Sequence, residues 1–148
     1  MRQLIVRLGL AGMAVVHLWW GLWAYAAPRH FFATFPGFGH HWTAAYPPYN
    51  EHLTADLGAT FLTLAVLLAI PAVRYRRATA RLALAGSVVF NALHLGFHTF
   101  HHGTLTGLDL SGSLFTLVAG LGVPLALFLL APKEGHLLHA MRNGGAPS

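Results

Sequence analysis

Four long apolar stretches, separated by short polar or aromatic-rich segments, make up most of this chain. A helix needs about 20 apolar residues to cross the hydrocarbon core of a bilayer. The stretches at about 3–27, 53–73, 79–102 and 110–131 each meet that length. They predict an all-α integral membrane protein: one transmembrane domain over residues 1–148, folded as a four-helix antiparallel bundle. The turn Arg74–Thr79 between the second and third spans is short and basic, which forces those two helices to run in opposite senses.

The connecting segments refine the picture. Residues 28–50 carry four prolines, the pair Gly37 and Gly39, and many aromatics. That is too apolar for a disordered linker, so it is expected to form an ordered cap in the membrane interface, with a short helix near Arg29–Phe35. Asn50 is placed to N-cap the second span, where Glu51 favours the helix dipole. Asp109 or Ser111 is a candidate cap for the fourth span. Pro124 lies inside that span and predicts a bend. A short surface helix is expected around Gly135–Arg142. No solenoid repeat or heptad pattern is present.

Composition agrees: the chain is 55% hydrophobic and 9% charged, against roughly 25% charged in soluble domains. The pI near 10.5 rests on too few basic residues for nucleic-acid binding. It reads instead as a topology signal and an anionic-lipid contact. Arg2, Arg7, the Arg74–Arg81 group, Lys133 and Arg142 fall on one side of the four spans, and only Arg29 on the other. The positive-inside rule then expects both termini in the cytoplasm and the 28–50 cap outside, in a multi-pass protein of the cell membrane. Trp19, Trp20, Trp23, Tyr25, Trp42, Tyr46 and Tyr49 fit an outer aromatic belt. Ala24-Tyr25-Ala26 after the first apolar run resembles a signal-peptide cleavage site; the length of the run, its tryptophans and Pro28 favour a retained helix. There is no cysteine, which excludes disulfides, thiolate metal sites and cysteine nucleophiles.

Nine of the eleven histidines fall toward the outer side. On the third span Asn91, His94, His98, His101 and His102 occupy an arc of roughly 100° at 3.6 residues per turn. On the second span His52, Asp56 and Thr63 lie within roughly 40° of one another, with Thr60 beside them and Glu51 at the helix start. At a rise of about 1.5 Å per residue, Asp56 and His98 lie level, about 6 Å below the outer helix ends. His17 and His94 form a deeper layer, roughly 12–13 Å down. Charged groups inside a membrane cost at least about 2.5–3.5 kcal/mol on insertion scales and are a functional-site hypothesis by default. Imidazole with carboxylate suits Zn, Fe, Mn or Cu(II). The expected metal ligands are therefore His52, Asp56, His94 and His98, with Glu51, His101 and His102 at the rim. His94-Leu95-Gly96-Phe97-His98 has the i,i+4 histidines of a zincin helix without its glutamate. Met1, Met13 and Met141 do not cluster, which argues against a Cu(I) conduit. The Glu-x-x-His pattern of di-iron bundles is missing.

Two pieces, Gly21-Leu22-Trp23-Ala24-Tyr25-Ala26-Ala27-Pro28 and Asp56-Leu57-Gly58-Ala59-Thr60-Phe61-Leu62-Thr63-Leu64-Ala65, are similar to the small four-helix membrane proteins of the DoxX-like group. The resemblance covers about an eighth of the chain and implies the same antiparallel bundle. It carries over no functional residue, and the histidine-rich third span departs from it.

Several functions follow from these residues. One is a metal-dependent membrane enzyme with its site near the extracytoplasmic face and a small or lipidic substrate. Another is electron transfer by haem b held between His17 and His94. A third is a non-enzymatic accessory or assembly subunit with a membrane-protein partner or a second copy of itself. A proton path along Asp56, His98, His94 and His17 is a variant. His30, His40 and His41 read as interfacial or loop residues, and His136 and His139 lie away from the outer cluster.

Overall fold

A computed structural model describes residues 1–131. The expected surface helix, with Lys133, His136, His139 and Arg142, lies outside the described residues. Helices dominate: α1 (Arg2–Ala26), α2 (Pro28–Thr34), α3 (Glu51–Val73), α4 (Arg77–Phe100) and α5 (Gly107–Leu130). All but α2 are long and apolar enough to cross a membrane. Between α2 and α3 lie two antiparallel two-residue strands, β1 (Pro36–Gly37) and β2 (His40–His41), and a 3-10 turn at Thr43–Ala45. The 28–50 segment is thus an ordered cap, as its composition required.

Local chemistry explains the boundaries. Pro28 opens α2 at its first turn, where a missing N–H costs nothing. The Asn50 side chain accepts from Leu53 N–H at 3.1 Å and caps α3. α4 ends at Phe100, two residues earlier than expected, because His101 takes a non-helical conformation and Gly103 turns the chain at φ +58°. A Cβ at Gly103 would run into the Ala45 carbonyl. α5 starts at Gly107 with Thr106 as its N-cap residue. Neither Asp109 nor Ser111 caps it: the Ser111 hydroxyl donates back to the Gly107 carbonyl, and Asp109 turns to the cap.

Packing sets how the helices face one another. The buried residues of α1 are Val6, Leu10, Ala14, His17, Gly21 and Ala24, a single stripe at helical spacing. Those of α3 are Thr54, Gly58, Phe61, Ala65, Leu68, Pro71 and Ala72. The two stripes meet in opposite senses. Gly21 lies against Gly58 and Leu62 near the cap. At the other end the Arg7 guanidinium donates to the Ala72 and Val73 carbonyls at 2.9 and 3.3 Å, satisfying acceptors that the end of α3 leaves open. α4 and α5 also pair: Asn91 faces Gly120, and the Arg81 guanidinium stacks on Phe128 at 3.9 Å. Val6, Leu10, Leu68, Ala80, Leu84 and Leu127 pack into one core at the end away from the cap. At the cap end Ala24, Phe31 and Phe61 form a second core with Trp20, Trp23, Phe35 and Phe90.

Candidate functional site

Between these two cores lies a cavity of about 760 Å³. α1 contributes Gly9 to Trp20 and α5 contributes Ser113 to Pro124. α3 and α4 contribute only their cap-side halves, Leu53–Phe61 and Phe90–His98. The cap roofs it with Phe31, Phe35, Trp42 and Tyr46. Gly9 and Trp20 are eleven residue steps apart on α1, so the space runs about 17 Å along the helices. Trp20, Trp42 and Tyr46, expected in a lipid-facing belt, turn inward to line it, while Trp19 and Tyr25 remain outward-facing.

Polar groups on its wall come from all four long helices and the cap. His17 replaces an apolar residue in the α1 packing stripe. Its Nδ1 lies 2.8 Å from the Met13 carbonyl. A carbonyl only accepts, so Nδ1 carries the proton and Nε2 of the neutral ring keeps a free lone pair. On α4, Asn91, His94 and His98 line the cavity together, the part of the histidine stripe that sequence periodicity placed on one face. The His94 and His98 rings stack with centroids 4.7 Å apart. His98 Nδ1 lies 2.6 Å from the Tyr46 hydroxyl, which donates to the His101 carbonyl at 3.2 Å. Tyr46 thereby ties the cap to the end of α4; its burial raises the phenol pKa above the ordinary value. His17 and His94 are bridged by rings rather than by each other: His17 packs edge-on to Phe61, Phe61 to Phe90, and Phe90 to His94.

The expected metal set is not assembled. His52 and Asp56 form an i,i+4 pair at 3.3 Å, with side chains 82% and 62% exposed, and neither lines the cavity. The reason is helix rotation. Asp56 is two residues from Thr54 and from Gly58, so it points about 160° away from the buried stripe of α3. Thr60 and Thr63 share the outward side and donate to their own helix at Asp56 and Ala59. Glu51 accepts weakly from Tyr49 at 3.5 Å. His101 and His102 lie beyond α4; His101 stacks on Phe97 with centroids 4.7 Å apart. Among the described residues no group of three or more His, Asp or Glu is placed to hold a metal ion.

A second polar cluster lies on the cap. The Asp109 carboxylate accepts from His40 Nδ1 at 2.6 Å and from the Trp42 indole at 3.0 Å, fastening the β hairpin to the first turn of α5. His41 Nδ1 donates to the Ala33 carbonyl and His30 Nδ1 accepts from the Trp23 indole. These loop histidines are spoken for by the cap itself. No family model, no curated protein and no solved structure matches this chain, so function rests on the cavity and what lines it.

Proposed function

We propose that this protein is an antiparallel four-helix bundle of the cell membrane that holds a small hydrophobic molecule in the cavity beneath its cap. The cavity carries the reading. At about 760 Å³ the space falls within the range of small-molecule sites, about 300–1,000 Å³. Its wall is mostly aromatic and aliphatic with a few convergent polar groups, the usual make-up of a small-molecule site. A space of this kind inside a bundle is a place for an occupant.

Orientation follows from the arginines. Arg7 and Arg81 gather at the end opposite the cap, with Arg74 and Arg76 in the α3–α4 turn and Arg77 at the start of α4, whereas Arg29 belongs to the cap and stacks on Tyr49. On the positive-inside rule the basic end and both termini are cytoplasmic and the cap faces outward. This bundle is also the one the DoxX-like resemblance implies.

The test uses Gly12, where an added Cβ meets nothing within 4 Å and which lines the cavity. Native mass spectrometry of untagged protein is expected to show a retained small molecule, lost in Gly12→Leu while thermal stability is kept. A wild-type protein carrying nothing, or equal retention in the variant, overturns the reading.

One observation favours a second reading, haem b. His17 and His94 line one cavity from different helices, and the His17 Nδ1 bond to a carbonyl is the arrangement that orients a ligating imidazole. Bound there, haem would supply one-electron transfer. Haem-replete cells would then yield a red protein whose Soret band disappears in both His17→Ala and His94→Ala; a colourless preparation refutes it. A Zn, Fe, Mn or Cu site of the kind expected from sequence would have to draw on His94 and His98 without His52 or Asp56.

A further inference from the structure

The distribution of polar groups along the cavity restricts the chemistry of what it holds; this inference rests on the ligand-binding reading above. Among the described residues, no Asp, Glu, Lys or Arg lines the cavity. A carboxylate guest would find no cation and an ammonium guest no anion, and an unpaired buried charge is strongly disfavoured. The wall therefore matches an uncharged molecule.

It is also one-ended. Away from the cap the lining is Gly9, Gly12, Met13, Val123 and Pro124, without a polar side chain. Toward the cap lie His17, Asn91, His94, His98 and Tyr46. Several of these have hydrogen-bonding capacity to spare. His17 Nε2 keeps its lone pair, because Nδ1 serves the Met13 carbonyl. The Asn91 amide donates to the Ser87 carbonyl, and its oxygen points across to Gly120. His94 makes ring contacts with Phe90 and His98 and no hydrogen bond within the described residues. A neutral imidazole offers one donor and one acceptor, which suits a hydroxyl or carbonyl oxygen.

A smaller hollow on α4 is lined by Phe90, Leu93, His94, Phe97 and His98. Leu93 and Phe97 are exposed on the outside of the helix, while Phe90, His94 and His98 also line the main cavity. Those three side chains stand between the cavity and the lipid-facing surface. We infer that the occupant is a neutral amphipathic lipid, with a long apolar body lying along α1 and α5 and one uncharged oxygen-bearing head at His94, entering sideways from the bilayer past Phe90 and His94.

Four diazirine probes of equal chain length test this in reconstituted full-length protein: an alkane, a primary alcohol, a carboxylic acid and an amine. Labelling is normalised to that of bulk lipid and mapped by peptide mass spectrometry. The alcohol is expected to label the cavity segments of α1, α4 and α5 at least ten-fold more than the acid or the amine. Gly12→Leu should abolish that labelling, and in His94→Phe the alcohol should label no better than the alkane does in the same variant. An acid or amine that labels as well as the alcohol overturns the neutral-head inference alone. So does an alcohol that labels no better than the alkane, or an alcohol advantage over the alkane that survives His94→Phe. If even the alkane stays out of the cavity, the ligand-binding reading falls too.

Discussion

Gly58→Ala is the sharpest test of the packing that builds the cavity. A Cβ at Gly58 would lie 2.6 Å from the Tyr25 backbone nitrogen and 3.0 Å from the Ala24 carbonyl carbon and the Gly21 carbonyl oxygen. All three are backbone atoms of α1, so no rotamer change relieves the contact. Restoring ordinary contact near 3.5 Å requires α1 and α3 to part by roughly 1 Å. Separation thins van der Waals contact along the whole stripe from Gly21–Gly58 to Leu10–Leu68. Overpacking of this kind costs about 1–3 kcal/mol, and the better helix propensity of Ala returns at most ~1 kcal/mol. A net loss of about 1–2 kcal/mol corresponds to a drop of roughly 2–8 °C for a chain of this size. The assay is thermal unfolding in detergent followed by circular dichroism, with Gly96→Ala as control. Gly96 also sits in a helix, and its added Cβ meets nothing within 4 Å, so that variant should be neutral or slightly stabilised. Equal stability of Gly58→Ala and Gly96→Ala would refute the close approach of α1 and α3.

Two further outcomes follow from the cap. Asp109→Ala removes the acceptor shared by His40 and Trp42; it should speed hydrogen exchange and proteolysis in residues 36–45 while leaving the helical signal unchanged, and an unaltered cleavage rate would count against the latch. Asn50→Ala removes the α3 cap and should cost about 1 kcal/mol, measured as a lowered unfolding midpoint; no change would mean that the Leu53 N–H finds another acceptor.

The spans, the ordered cap, the Asn50 cap and the shared face of Asn91, His94 and His98 were legible in sequence. Each depends on local properties: apolar length, Pro and Gly placement, and helical periodicity. Whether His52 and Asp56 face His94 and His98 was not legible, because it depends on two helices meeting by their polar stripes. Rotation of α3 is set instead by small residues: Gly58 admits the α1 backbone at Gly21, and that turns Asp56 and His52 outward. The two glycines were visible, but that they meet is a fact of the pairing, not of either helix. The cavity has the same origin. It lies between the contact of α1 with α5 at Gly9 and Leu127 and the cap's aromatics, which fold inward over the gap. Sequence determined which segments are helices and which residues are polar within them; tertiary packing decided which polar residues meet, because rotation and spacing depend on contacts between segments far apart in the chain.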